Sequence, residues 1–270
     1  MVWESNQSVG NDNDSTTIQG RIVSSIGQIS GSQFQVNASI TGAQRDSAIS
    51  ALPSAGFVAL WAGSSSGSDT DTSIQGRIFS NSGAPLASDF QVNTTTALTQ
   101  DEPDVAIDDN GNLLAVWESP NGTTSRTQVF ARFLNSSGSP VGSDFQIHTT
   151  NTLDSQLEPR VAAGSSKRFV ITWYSDSGPG NDPDRSIQAR VVSGEGQFVG
   201  SQLQINSGRQ GNQAFPAVAG SVGRVVVVYH DADNPFGIND DGIVAAPVDL
   251  CLFCDGFEGG STASWSSAVQ

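Results

Sequence analysis

Short apolar runs recur along this chain between stretches rich in Gly, Ser, Asn and Asp, and their recurrence is periodic. Trp3, Trp61, Trp117, Trp173 and Tyr229 each end such a run, at separations of 58, 56, 56 and 56 residues. The runs read "FVALW" (57–61), "LLAVW" (113–117), "FVITW" (169–173) and "VVVVY" (225–229), with the first copy reduced to "VW". A second series starts at Ile18, Ile74, Val129, Ile187 and Ile243, as in "IQGRIF". A third starts at Phe34, Phe90, Phe145 and Leu203, as in "FQVN". A fourth starts at Ser47, Pro103, Pro159 and Pro216, as in "PDVA", preceded at near-constant offset by Gln44, Gln100, Gln156 and Gln213. The unit is therefore about 56 residues with four strands, called A ("PxVA"), B ("FVxxW"), C ("IQGR") and D ("FQVN"). Gly27, Gly83, Gly138 and Gly196 mark a tight turn between C and D.

The strands differ in character. B is apolar throughout, which predicts burial of both its faces. C and D alternate, which places them nearer an edge or a wetter layer. Four-stranded units with buried early strands and polar late ones predict an all-β fold: a β-propeller of about five four-stranded blades. The unit is too short for an immunoglobulin-type sandwich of about 100 residues. The aromatic closing B is expected to pack between blades, with a sugar-stacking platform as the other reading. Five B and five C strands face only four A and four D strands. One strand from each end can complete a shared blade, or the chain is a fragment of a larger propeller. The half-strand directly after Met1 favours the fragment.

Residues 169–173, 74–77 and 90–93, with Gly142, Ser143, Phe145 and Gln146 and the "EPxVA" segments at 102–106 and 158–162, form a pattern that resembles the tandem propeller repeats of secreted or surface-associated bacterial proteins. The resemblance covers residues 1–250 and implies an adhesin-like, calcium-binding module. Residues 251–270 are expected to be a separate C-terminal tail. Their Asp255, Gly256, Phe257, Glu258 and Trp265 resemble a "DGFExG" tail of exported proteobacterial proteins, which implies a secreted or cell-surface location. Cys251 and Cys254, outside any thioredoxin-like context, read as a local disulfide.

Charge narrows the partners. Asp and Glu number 27 against 12 Lys and Arg, a formal net charge of −15. Such a surface repels nucleic acid and anionic lipid. No apolar run is long enough to insert in a membrane. The candidate chemistry lies in the B–C loops, at Asp12 and Asp14, Asp69 and Asp71, Asp182 and Asp184, and Asp240 and Asp241. D-x-D spacing can bring carboxylates and carbonyls onto a Ca²⁺ ion; the same residues also fill ordinary exposed turns. The third unit, "PNGTTSRT", carries no acid there. Arg21, Arg77, Arg132 and Arg190 end strand C and are expected to hold the scaffold by pairing with an acid or carbonyl. His230–Asp231 offers a base and its orienter, but no G-x-S-x-G nucleophile motif accompanies it.

The function expected from these features is a non-enzymatic binding or adhesion module, stabilised by Ca²⁺, with a glycan or surface protein as partner and the chain monomeric or part of a longer protein. A carbohydrate-active hydrolase or lyase with acids at the propeller mouth is the alternative, and a structural spacer the third reading. Equal loops in every unit favour the first; unique acids in one unit favour catalysis.

Overall fold

In a computed structural model the described residues are 1–10, 15–53, 56–64, 71–120, 126–149, 154–164, 167–178, 184–207, 211–221, 224–232 and 242–249. They form five antiparallel meanders, each one blade. Blade I is β1 (Val2–Ser5), β2 (Thr17–Val23) and β3 (Ile29–Gln35). Blade II is β4 (Gln44–Ala51), β5 (Phe57–Ser64), β6 (Thr72–Phe79) and β7 (Phe90–Gln91). Blade III is β8 (Asp101–Ile107), β9 (Leu113–Pro120), β10 (Thr127–Leu134) and β11 (Pro140–Gln146). Blade IV is β12 (Gln156–Gly164), β13 (Arg168–Ser175), β14 (Ser186–Ser193) and β15 (Phe198–Gln204). Blade V is β16 (Gln213–Ser221), β17 (Arg224–Asp231) and β18 (Gly242–Asp249). The uneven strand count read from the sequence is present here: blade I has no A strand and blade V no D strand among the described residues. No helix there is long and apolar enough to cross a membrane. The tail and both cysteines lie outside the described residues.

The core lies between blades rather than within them. A strands of successive blades pack side by side (β4 on β8, β8 on β12, β12 on β16), so they line the axis. The period of two along each B strand divides its side chains between two neighbours. Leu113, Ala115 and Trp117 pack back onto blade II, whereas Leu114 and Val116 pack forward onto blade IV. Phe169, Ile171 and Trp173 likewise face back, and Val170 and Tyr174 face forward. The tryptophans are therefore packing residues: Trp61, Trp117 and Trp173 are at most 1% exposed, which excludes them as sugar platforms.

Strand C departs from expectation. β6 and β14 are buried on both faces despite their alternation, so C is a second core strand and the rim begins at D. Its polar residues stay inside because they find partners. Gln75 donates to Ser73 Oγ at 2.6 Å and Gln188 to Ser186 Oγ at 2.8 Å.

Two devices fasten blades II and III each to the one before it. Arg77 Nη1 donates to the Val36 carbonyl at 3.2 Å and its Nε to that of Ala87 at 2.9 Å. Arg132 does the same with Val92 (2.6 Å) and Gly142 (3.0 Å). Asp89 and Asp144, beside these guanidiniums, accept the backbone N–H groups of Ala38 and Thr94 in the previous blade. The turn glycines are the second device. Gly83 and Gly138, at φ of 80° and 79°, lie against the rings of Phe34 and Phe90, where a Cβ would approach to 2.7 and 2.4 Å.

The glutamine heading each A strand closes the polar accounting. Gln44 and Gln156 accept the indole N–H of Trp61 (2.9 Å) and Trp173 (2.7 Å). Gln100 and Gln213 accept the amides of Asn93 and Asn206, both at 2.9 Å, which end the D strands of the blades before. All four glutamines are at most 1% exposed. Replacing Gln156 by Leu leaves the Trp173 indole N–H buried without its partner. Urea unfolding is expected to show a loss of about 1–3 kcal/mol; an unchanged midpoint and slope refutes the staple.

Candidate functional site

Each A strand begins with the same backbone irregularity. The pairing of A with B slips between Arg45 and Ala48, Asp101 and Asp104, Leu157 and Arg160, and Ala214 and Ala217. Within each slip sits one residue in the left-handed region: Asp46 (φ 53°), Glu102 (φ 50°), Glu158 (φ 54°) and Phe215 (φ 52°). This is a β-bulge, which re-aims a side chain at a sheet end. Left-handed backbone is uncommon for such residues, and retained strain of this kind gathers at functional sites.

The residue after each B-strand aromatic comes to the same end: Glu4, Ala62, Glu118, Tyr174 and His230. Alternation turns it away from the aromatic, toward the next blade. A row of couples across the blade seams results. Glu4 acts electrostatically on Asp46. Glu118 Oε1 accepts the Glu158 N–H. Tyr174 meets Phe215 edge-on at 6.1 Å between ring centroids.

Acids concentrate in blades II to IV. Arg160 Nη2 binds Glu158 at 2.9 Å and Glu102 at 3.4 Å. Arg45 binds Asp101 at 2.6 Å and Asp46 at 3.3 Å. Burial pushes the Glu118 carboxyl up to about 8, with the negative charge of Glu102, Glu158 and Asp101 adding to it and the Glu158 N–H opposing. Burial also raises Asp46 to about 6, with Glu102 and Asp101 reinforcing and Arg45 opposing. Glu102 is raised by burial and by Glu158, against the Arg160 guanidinium. Asp104 is raised by burial although it accepts the N–H groups of Val161 (2.8 Å) and Val105 (2.9 Å); it ties β8 to β12. Neighbouring carboxyls with different proton affinities can divide donor and acceptor roles.

The loop aspartates flank this end. Asp71 Oδ2 accepts the Leu98 N–H at 3.1 Å, and Asp184 Oδ2 the Gly211 N–H at 3.0 Å. Both tie a B–C loop to the following D–A loop. Asp12, Asp14, Asp69, Asp182, Asp240 and Asp241 lie outside the described residues. Among the described residues no three His, Cys, Asp or Glu side chains are grouped to hold a metal ion. His230 and Asp231 alternate along β17, so Asp231 points inward, where it accepts from Gln213 at 3.1 Å, and His230 lies 6.3 Å from the Phe215 ring. His148, in the Asn position of D, is buried beside Gln146.

Sequence reasoning looked for residues that repeat and so passed over positions that vary. The signal was present one residue after each B-strand aromatic and two after each A-strand glutamine, where the side chain changes from blade to blade.

No protein-family profile and no curated protein matches this sequence. Solved structures with similar folds are an endo-arabinase from Bacteroides thetaiotaomicron (14% identity over 92% of this chain and 88% of that one, TM-score 0.52), a Penicillium chrysogenum α-L-arabinanase complexed with arabinobiose (14%, 76% and 62%, 0.51) and an ulvan lyase (11%, 89% and 66%, 0.50). At these identities the likeness shows the fold, a β-propeller. The expectation of a non-enzymatic binding or adhesion module is corrected here. It rested on equal loops in every unit, whereas the pair of residues at these two positions is not the same in any two blades, and the similar folds named above are those of an endo-arabinase, an α-L-arabinanase and an ulvan lyase.

The Glu118 shift has a consequence for stability. The folded state holds this proton more tightly than the unfolded chain, whose ordinary value is 4.5. Its contribution is full below about 4.5 and is lost as pH rises through about 8. Glu118→Gln is expected to flatten that part of the Tm-against-pH curve and to melt above the wild type at high pH; parallel curves for the two proteins refute the shift.

Proposed function

We propose that the chain is a glycoside hydrolase acting on a neutral polysaccharide at the axial mouth of its propeller. The observation that carries this is the half-buried Glu118, protonated at neutral pH with its value near 8, among carboxylates of lower proton affinity. Cleavage of a glycosidic bond needs one carboxylic acid to protonate the leaving oxygen and one carboxylate to activate water or attack the anomeric carbon. Glu118 is the proton donor. Asp46, largely ionised at pH 7, is the carboxylate assigned the second role. Glu102, between them in the electrostatic field and acting on both, holds the two values up. Arg160 offsets the charge of Glu102 and Glu158 and fixes their side chains.

The similar folds include both hydrolases and a lyase. The excess of acids over Arg45 and Arg160 at the mouth favours the hydrolase, because a uronate substrate of a lyase brings a carboxylate into a negative site. A polymeric substrate also fits the secreted or surface location proposed for this chain.

The test is a hydrolysis screen on arabinan, xylan and β-glucan with reducing-end detection. kcat/KM is expected to follow a bell in pH, with limbs near about 6 for Asp46 and about 8 for Glu118. Glu118→Gln is expected to lower turnover by roughly 10²–10⁴-fold and Asp46→Asn comparably, each abolishing its own limb. Hydrolysis that survives Glu118→Gln unchanged, or no hydrolysis of any neutral glycan, sinks the reading.

A further inference from the structure

We infer that Phe215 is the platform of a sugar-binding subsite at the seam between blades IV and V, taking one neutral sugar ring of the polysaccharide. The inference rests on the glycan substrate proposed above. Three observations carry it.

Phe215 stands at the bulge position that holds Asp46, Glu102 and Glu158 in the other blades. There it keeps a left-handed backbone at φ 52° while leaving 58% of its surface exposed. A β-bulge that turned the side chain into the core would recover packing energy. This one turns a large aromatic outward, so packing does not account for it. The ring also does not stand alone. Tyr174 meets it edge-on at 6.1 Å, His230 lies tilted at 6.3 Å, and the Arg185 guanidinium caps Tyr174 at 5.0 Å. Phe215, Val228, Tyr229, His230 and Ile243, all on blade V, line a groove of about 320 Å³, so the ring stands between this groove and the seam where Tyr174 meets it. Finally, this aromatic wall adjoins the acids, since Tyr174 lies within the electrostatic reach of Glu118 and Glu158.

A sugar ring has an apolar C–H face and a polar hydroxyl edge. The exposed Phe215 face offers the first a stacking surface, and the neighbouring carboxylates accept from the second. The acidic surroundings select a neutral ring over a uronate. The substrate chain therefore runs from the IV–V seam, where one ring stacks on Phe215, across the III–IV seam, where Glu118 protonates the bond to be broken.

The test separates this subsite from the chemistry. In the Glu118→Gln background, binding of arabinan, xylan and β-glucan oligosaccharides is measured by calorimetry, with oligogalacturonate as the charged control. Phe215→Asn keeps a residue that tolerates the left-handed backbone while removing the ring. It is expected to weaken binding by about tenfold or more with no fall in Tm, and Phe215→Trp to retain binding. Equal binding by Phe215→Asn overturns the platform and leaves the hydrolase standing if Glu118→Gln is inactive. Tighter binding of oligogalacturonate than of every neutral glycan also overturns it. Conversely, weakened binding by Phe215→Asn together with unimpaired turnover by Glu118→Gln keeps the platform and removes the hydrolase.

Discussion

A buried amide governs this fold. Each A strand opens on a glutamine sealed from water, and that side chain must find its partners inside the protein. It finds them on one of two elements, the indole of its own B strand in some blades and the asparagine that follows the previous D strand in others. The same asparagines accept an N–H near the start of strand C, as Asn93 does from Ile74 and Asn206 from Ile187. One polar node thus fixes where a blade begins, how its hairpin is aligned and how far it stands from its neighbour. A slip of one residue at this node strands several buried donors together. That cost explains why register holds in strands whose outer halves are polar and exposed.

The same node delivers the mouth. Two residues beyond the glutamine the strand bulges, and one residue beyond the aromatic that faces the glutamine the B strand turns its side chain toward the next blade. Both positions are held by the geometry that repeats beneath them, and the side chain there is core in some blades (Ala62, Tyr174) and an acid in others (Glu118, Glu102). Identity there is free to vary while location is not. Acids placed at such positions feel each other and a drying environment, and burial is the leading cause of the raised values of both Glu118 and Asp46.

The repeat made the architecture legible. Regular aromatic spacing, turn glycines and the apolar B strands led to blades, strand order and the uneven count of A and D strands among the described residues. Strand C misled because alternation normally marks a half-wet face, and nothing in "IQGR" announces that its glutamine will find a serine two residues earlier on the same strand. The site was obscure for a related reason. The B–C aspartates stand out as clusters in the sequence, but Asp71 and Asp184 serve as tethers between loops. Glu102, Glu118 and Glu158 are single residues with no local pattern to join them, and only the packing of one blade on the next brings Glu118 to the Glu158 backbone, 40 positions away. Phe215 was hidden by its surroundings, since a phenylalanine in a β-strand ordinarily signals core.

The forward and backward faces of the B strands bear on how this molecule changes over time. The seam couples Glu118 with Glu158 and Tyr174 with Phe215 each take one member from a blade and the other from its successor. Duplicating or exchanging a whole unit therefore never transplants a complete couple. It breaks one at each border and creates a hybrid in its place. A new pairing chemistry arises wherever two unlike units are joined, with no point substitution at all. Recombination at the blade borders is thus a direct route to new side-chain pairings in this scaffold, and the unit that carries a pairing is the junction rather than the repeat.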